Sequence, residues 1–474
     1  MGRHADSRRS RRSRLLLAAV LVPVVAISSA FGLMALGGPA LPPTVAGAGG
    51  SVENSVTASS SLAESSSGAP VQSAPSLAPS LTASPSPSPL APTPTPTPRP
   101  PSEPSSHPSF AGPRAIAVRA RLQLELDRLR KRLRIPGISV TIIFGDGSSW
   151  TGTSGRANVA GKVAVTRETA FAVGSVSKTY TAALILDLAR DGRVNLDTSA
   201  RAYIPEARIS KQITVRQLLN HTSGLDDYFL HPPIDKALQG DRAAVWSTAR
   251  TLKYVRKPYF PPGRGWHYSN TNYLYLGLIA ERVTGSTLAD ALRTHFFDEN
   301  QLDDTWYQAV DEPRADVAHG YRFAGPKTTR GIDLSDGSSV MPFTSVVTAA
   351  AGAGSVAATS RDAARWARLL YTGQLLGPEM TAEMLEGVAA TAGYKPRVPY
   401  GLGVQAFPIG GRPAVGHSGR LLGFRAAVRH LPAEATTIAV LTNQSRADPG
   451  IVADRLLRIV FAPPAPCNRC GDPS

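Results

Sequence analysis

The sequence predicts an α+β fold, in which an antiparallel β-sheet is flanked by N- and C-terminal helices and a mostly α-helical domain is inserted. Strand patterns occur near residues 138–152 and again near 401–441, whereas residues from about 175 to 300 have mostly helical patterns. Strands from both ends of a chain can form one sheet when the intervening helices fold as an insert.

The opening elements are a helix and a hairpin. Residues 114–134 include eight basic and two acidic residues, and the apolar run Ile138–Phe144 is followed by a glycine-containing turn and a strand that begins at Ser148. Leucines recur at helical spacing on one face of the first segment, which predicts an amphipathic helix. They are Leu122, Leu126, Leu129 and Leu133.

The middle and the end of the chain are predicted to contain a buried helix, a group of strands and a last helix. Val176–Arg190 is apolar almost all round, which predicts a buried helix that ends at Gly192. A last helix over Ile451–Phe461 is expected to pair with the opening helix. The strands predicted before it are Gly401–Phe407, Ala414–Gly416, Gly423–His430 and Thr437–Leu441.

The chain is predicted to have four segments. Residues 1–40 form an export signal or signal anchor, because six arginines in the first 14 residues precede 22 uncharged residues. Residues 41–113 form a linker rich in Pro, Ser and Thr, which lacks the bulky apolar residues that a core requires. Residues 114–462 form the globular domain and 463–474 a tail. We expect the domain to be extracytoplasmic, either membrane-anchored or secreted after cleavage.

Charge and cysteine content narrow the choice of partners. The formal net charge is +16, and residues 114–474 contribute +13 of it, from 44 basic and 31 acidic residues. No basic motif with interleaved aromatic residues accompanies this charge, which favours an anionic wall or membrane surface over nucleic acid. The two cysteines, Cys467 and Cys470, exclude a disulfide-stapled fold. No metal-ligand spacing is present, so neither a metal nor a cofactor is implied.

Ser175 and Lys178 stand one helical turn apart at the start of the predicted buried helix. A lysine whose pKa is lowered by burial can accept the proton of a serine hydroxyl, and N–H groups at a helix N-terminus can bind an oxyanion. The pattern alone also fits a Ser175 that caps the helix and a Lys178 on the surface. The apolar helix argues against that alternative, because Lys178 would have to enter a buried environment.

Two further short patterns carry chemistry suited to such a site. Tyr268 can shuttle protons and Asn270 can bind a substrate amide, although both would also fit packing and helix capping. His417 and Gly419 lie between predicted strands, where Gly419 would let a substrate approach the strand edge. The alternative there is a bulged strand with an exposed His417.

The three patterns S-x-x-K, Y-x-N and H-x-G occur once each, in this order, separated by 93 and 149 residues. With this set the chain resembles the serine penicillin-recognising family, which contains class C β-lactamases, D-alanyl-D-alanine carboxypeptidases, D-aminopeptidases and esterases. The resemblance covers about residues 114–462 and includes the stretches Ile213–Leu225 and Pro261–Gly263.

The resemblance implies a catalytic role for three residues and a binding role for one. Ser175 would be the acylated nucleophile and Lys178 its activating partner. Tyr268 would pass a proton to the leaving amine and take one from the deacylating water. Asn270 would hold the amide on the acyl side of the substrate.

The resemblance also implies how the strand edge is used. His417 and Gly419 would border the substrate, and the backbone N–H groups of Ser175 and Arg420 would form the oxyanion hole. Arg420 departs from the small residue or threonine that is common there, and we expect its side chain to bind a substrate carboxylate. From His417 we expect an inflection in the rate profile within about two pH units of 6.5.

These expectations describe an exported serine hydrolase that forms an acyl-enzyme, most simply a D-alanyl-D-alanine carboxypeptidase acting on cell-wall peptides. A histidine in the third motif, a spacer suited to crossing a wall and an anchored N-terminus favour this activity. A β-lactamase, an esterase or a D-aminopeptidase of the same family remains open, with a β-lactam, ester or small peptide as substrate. The alternative from another class is a non-catalytic wall-binding or penicillin-sensing protein.

Overall fold

The computed structural model describes residues 112–325, 328–387 and 398–462. It confirms the predicted α+β class, with an antiparallel sheet, two terminal helices and a largely helical insert. The helices are α1 (Gly112–Arg132), α2 (Ser177–Arg190), α3 (Val215–Leu219), α4 (Pro232–Gly240), α5 (Thr248–Leu252), α6 (Asn270–Thr284), α7 (Leu288–Leu292), α8 (Thr344–Ala350), α9 (Ser360–Tyr371), α10 (Gly377–Leu385) and α11 (Pro449–Val460).

The strands come from both ends of the described chain. They are β1 (Gly137–Ile143), β2 (Ser149–Asn158), β3 (Val163–Ala164), β4 (Phe171–Ala172), β5 (Thr305–Tyr307), β6 (Tyr321–Arg322), β7 (Ile332–Asp333), β8 (Val356–Ala358), β9 (Gln405–Ile409), β10 (Arg412–Leu421), β11 (Phe424–Leu431) and β12 (Thr436–Thr442). Seven of them form the main sheet in the order β3-β2-β1-β12-β11-β10-β9. The first hairpin therefore pairs with the last strand, and Val140 lies opposite Val440.

Alternation along β1 explains why the sheet carries helices on both faces. Ile138, Val140 and Ile142 point towards the terminal helices and are fully buried. Ser139 and Thr141 point the other way, since successive strand residues face opposite sides. Their hydroxyl groups each lie 2.8 Å from Ser360 Oγ, at the start of α9. Small polar residues thus anchor α9 on the face that also receives the helical insert.

The terminal helices α1 and α11 pack together on the first of these faces. Leu122, Leu126 and Leu129 are buried there, each contributing about 1.5–3 kcal/mol on the usual scale for leucine burial. The predicted amphipathic helix is present, with its basic residues on the outer side. The exposed ones are Arg121, Arg128, Lys131, Arg132 and Arg134.

Several predicted boundaries were wrong. The strand expected over Gly401–Phe407 is β9, which begins only at Gln405. α2 begins at Ser177, because Gly174–Val176 forms a separate 3₁₀ turn in which Gly174 has φ +55°. Strand β10 does not stop at Gly416 but runs on to Leu421, so that His417 and Gly419 lie within a strand. Gly419 does not interrupt the pairing, since it faces Ala426 of β11 in register.

Several predictions concern residues outside the described ranges. The export segment, residues 41–111 of the linker, and the tail with Cys467 and Cys470 all belong to this group. Within the residues that the structure does describe, no helix combines the length and apolar character that a membrane span needs.

Candidate active site

Ser175 is presented by the short turn between β4 and α2, and strand β10 runs directly against this turn. A Cβ atom added to Gly174 would lie 2.8 Å from the Arg420 backbone nitrogen, and one added to Gly419 would overlap the Val173 carbonyl oxygen. Both glycines are needed for this close approach, and Gly174 also has a left-handed backbone. The approach brings the half-buried Ser175 and the Arg420 backbone together.

Gly419→Ala is expected to weaken this contact, because its methyl group would overlap the Val173 carbonyl. We expect the free energy of unfolding to fall by about 1–3 kcal/mol, and acylation to slow. Denaturant unfolding and adduct formation measure the two effects. Gly240→Ala is the matched control, since a Cβ there meets nothing within 4 Å. Equal behaviour of the two variants would show that the close approach is unimportant.

Lys178 occupies the centre of the site and is fully buried. Its Nζ lies 3.2 Å from Ser175 Oγ, 2.8 Å from Asn270 Oδ1 and 2.9 Å from the Ala353 carbonyl oxygen. The expectation that Lys178 lies inside the protein next to Ser175 therefore agrees with the geometry. Two acceptors and the serine hold the amine in place, in an arrangement suited to proton transfer from Ser175.

Burial lowers the pKa of Lys178 to about 7, and the negative charge of Asp227 opposes this shift. Removing an ammonium group from water disfavours its charged form, so the amine is neutral in a substantial fraction of molecules near pH 7. A neutral amine can accept the Ser175 proton, whereas an ordinary surface lysine is almost entirely protonated at this pH. The buried position thus gives Lys178 the property that a general base requires.

The acylation rate, measured as kcat/KM, is therefore expected to rise with pH and to level off above an inflection near 7. The sign follows because only the neutral form, which dominates above the pKa of Lys178, accepts the proton. Initial rates over a range from about pH 5 to about pH 9 measure this, with unfolding followed in parallel. A rate that stayed constant over this range would contradict Lys178 as the base.

The ring of Tyr268 lies over the amine of Lys178. Lys178 Nζ is 5.0 Å from the centre of its ring, within the range of a cation–π contact when the amine is charged. Its ring centre lies 4.3 Å from that of His221 and 6.4 Å from that of His417. The predicted Tyr268 is thus brought to the same place as Lys178 and His417.

Asn270 also reaches Lys178, but its amide is turned differently from the predicted role. Its Oδ1 accepts from Lys178, and its Nδ2 lies 3.0 and 3.2 Å from the two carboxylate oxygens of Asp227. Asn270 is the first residue of α6 and Ser269 is its N-cap, so the capping alternative for Asn270 is wrong. Both ends of the amide have protein partners, which links Lys178 to a buried carboxylate.

His417 lies at the site but is not the group titrating near neutrality that the sequence predicted. Its Nδ1 donates to the Ser418 carbonyl at 2.7 Å, and its Nε2 accepts from the Tyr400 hydroxyl at 2.9 Å. Burial, reinforced by the Lys178 charge, holds the pKa of His417 well below its usual value. The expected inflection from His417 near neutrality was therefore wrong, because a buried imidazole with both nitrogens engaged stays neutral. The exposed-histidine alternative was wrong as well, since His417 is 1% exposed.

The family model named Beta-lactamase matches residues 122–461, well over half of the chain. The chain belongs to the beta-lactamase family. It is accordingly an enzyme of the serine hydrolase class, as the three motifs predicted.

Three similar proteins illustrate the different activities found in this family. Penicillin-binding protein 4 of Amycolatopsis lactamdurans is 28% identical, over 73% of this chain and 93% of that protein. A D-aminopeptidase of Gluconobacter oxydans is 28% identical over 69% of this chain, which spans 59% of that protein. The solved structure of a D-stereospecific amidohydrolase from Streptomyces sp. superposes with a TM-score of 0.60, at 26% identity over 73% of this chain and 98% of that one.

Sequence reasoning missed several groups that complete this beta-lactamase-family site. The Ala353 carbonyl and the Tyr400 hydroxyl come from distant segments and carry no motif. His221 and Asp227 did have a signal, since His221 lies in the family-like stretch that ends at Leu225, two residues before Asp227. His221 Nδ1 accepts from the Ser269 N–H at 3.2 Å, which fixes the segment next to Tyr268.

Proposed function

We propose that this protein is an exported D-alanyl-D-alanine carboxypeptidase that forms an acyl-enzyme on Ser175. The observation that carries the proposal is the 3.2 Å separation between Ser175 Oγ and a fully buried Lys178 Nζ. Burial lowers the pKa of this lysine to about 7, so a proton acceptor for the serine is present in the folded protein.

The reaction has two steps in this proposal. Lys178 accepts the Ser175 proton while Oγ attacks the carbonyl of the penultimate D-alanine, and the terminal D-alanine leaves with a proton supplied through Tyr268. Water then attacks the ester, giving its proton back along the same route and releasing Ser175. The backbone N–H groups of Ser175 and Arg420 stabilise the oxyanion, and the close contact between Gly174 and Arg420 supports this pairing.

Positive charge at the end of β10 supports a substrate that ends in a carboxylate. The Arg420 side chain is exposed, and Arg425 lies opposite it on β11. The carboxylate nearest to Lys178 in the hydrogen-bond chain, Asp227, is buried and engaged with Asn270. This distribution favours an anionic substrate end over a free amine, which would need an accessible carboxylate.

A D-amino-acid amidase or D-aminopeptidase activity is the second candidate. It is favoured by the similarity to the Streptomyces amidohydrolase, which covers 98% of that chain, and to the D-aminopeptidase of Gluconobacter. The two candidate activities share the acyl-enzyme intermediate. They differ in the substrate group that flanks the D-amino acid. Substrate preference therefore separates them without altering the roles of Ser175 and Lys178.

The test compares four substrates on the full chain. A peptide ending in D-Ala-D-Ala is expected to release D-alanine, and a fluorescent penicillin is expected to leave a stable label. Preferred turnover of a D-amino-acid amide would replace the carboxypeptidase by an amidase, and rapid release of ring-opened penicillin would indicate a β-lactamase. Absence of any adduct in intact-mass measurements, also with a D-Ala-D-Ala thioester, would overturn the hydrolase mechanism on Ser175.

The proposed location outside the cytoplasm rests on the arginine-rich start of the chain and the uncharged segment that follows. The exposed basic side of α1 supports an anionic wall or membrane surface as partner, since its cations point away from the leucine face. Binding to purified wall or to anionic vesicles is expected to weaken with salt. Binding that did not depend on salt would contradict an electrostatic attachment.

A further inference from the structure

The carboxylate of Asp227 lies inside the protein, one hydrogen bond beyond Asn270, and the mechanism above gives it no role. Its side chain is 3% exposed, on the segment between α3 and α4. The two oxygens are held by Asn270 Nδ2 at 3.0 and 3.2 Å, and Oδ1 also accepts from the Phe229 N–H at 3.2 Å. A buried carboxylate is costly unless its oxygens are satisfied in this way.

The orientation of the Asn270 amide depends on this carboxylate. A carboxylate offers only acceptors, so it attracts the NH₂ end of the amide and leaves Oδ1 for the Lys178 Nζ at 2.8 Å. With the opposite orientation, the amide NH₂ would face the lysine donor and its oxygen would face the carboxylate. Asp227 thus determines which end of Asn270 the lysine meets.

Asp227 also acts on Lys178 through its charge. Burial raises the pKa of Asp227, while the hydrogen bonds from Asn270 and the Phe229 N–H oppose that shift and favour the charged carboxylate. The charge in turn raises the pKa of Lys178 against the larger, lowering effect of burial. Without this charge, the pKa of Lys178 would be lower still.

The other ionisable groups around the pair do not provide an equivalent charge. His221 and His417 face Lys178, and burial keeps the pKa of each well below its usual value. The phenols of Tyr228 and Tyr259 face Asp227, and burial raises their pKa values, so both stay neutral. The rings of Tyr268 and Tyr273 face the amine at 5.0 and 5.4 Å, and burial raises the pKa of Tyr273, which stays neutral. Asp227 is the anion that balances Lys178 within this group of residues.

We propose that Asp227 is a positioning residue for acylation, which orients the Asn270 amide and, through it, keeps Lys178 in place as a base of suitable strength. This inference rests on the proposed acylation of Ser175. It goes beyond that proposal by assigning a function to a residue that does not touch the substrate. The expected consequence is specific, because loss of the charge must change the basicity of Lys178 as well as its position.

Asp227→Asn is the decisive variant, because it retains the side-chain shape and removes the charge. In the full chain, we expect the plateau of kcat/KM for fluorescent penicillin acylation to fall about tenfold or more, since the amide of Asn270 is no longer held in one orientation. The inflection near 7 is expected to move towards lower pH by about one unit, because the charge that raises the pKa of Lys178 is gone. Asp227→Glu keeps the charge, so its inflection should stay near that of the unaltered chain even if its plateau is lower.

Asp226→Asn is the matched control. Asp226 is the adjacent buried carboxylate, but its Oδ2 contacts His231 Nε2 at 2.6 Å and accepts from the Arg256 N–H at 2.8 Å. Its loss should lower stability without moving the inflection, which separates a positioning role from a merely structural one.

The outcomes distinguish this inference from the proposed function. An inflection that did not move in Asp227→Asn, or that moved equally in Asp226→Asn, would overturn the inference alone. If Asp227→Asn does not fold, Asp227→Glu provides the test. Because this variant keeps the charge, a displaced inflection in it would also refute the positioning role of Asp227. Failure of the unaltered chain to form any adduct would overturn the proposed function and this inference together.

Discussion

Ser175→Ala should form no covalent adduct with a fluorescent penicillin, and its turnover of a D-Ala-D-Ala peptide should fall on the order of 10⁴-fold or more. The reason is that the nucleophilic oxygen is absent, and Lys178 then has no hydroxyl to activate at the 3.2 Å position. Intact-mass spectrometry and gel fluorescence measure the adduct directly. The fold should be retained, because Ser175 is only half buried at the surface of the turn.

Ser177→Ala is the control for this experiment. Ser177 is a buried serine two residues further along, and its Oγ accepts from the Val356 N–H at 3.0 Å. Its loss should cost about 1 kcal/mol of stability and leave adduct formation intact. An adduct that persisted in Ser175→Ala, or that vanished equally in Ser177→Ala, would remove Ser175 from the nucleophilic role.

Lys178→Met is expected to reduce the acylation rate by roughly 10²–10⁴-fold, the usual contribution of a general base. Methionine fills the buried space of the lysine chain but offers no amine to Ser175. The residual rate should lose the inflection near 7, because the group that titrates there is gone. Pre-steady-state labelling across the pH range measures both effects in the same variant.

Lys253→Met serves as the comparison, since Lys253 is an exposed lysine just beyond the end of α5. It should acylate at the unaltered rate and keep the inflection. If Lys178→Met retained that inflection, another group in the site would be titrating and would be the general base instead of Lys178.

Much of the site could be predicted because its reactive residues lie in short segments of the sequence. Ser175 and Lys178 are one turn apart in a segment that is apolar enough to require burial, so proximity and a low lysine pKa follow from the sequence itself. His417 shows the limit of such reasoning. Its ionisation depends on Tyr400, on the Ser418 carbonyl and on the depth of burial, none of which the motif contains.

The sequence by itself determined the sheet with its helical insert and the family. It also determined which motif residues lie next to Lys178. Periodicity and composition suffice for these, because they record which faces must be buried and which short segments carry reactive groups. Only the tertiary structure decided how the Asn270 amide is oriented and that Asp227 accepts its hydrogen bond. It also decided that β10 extends past His417 and packs against the turn that carries Ser175. These features arise from contacts between segments far apart in the chain, whose geometry and local dielectric no short pattern encodes.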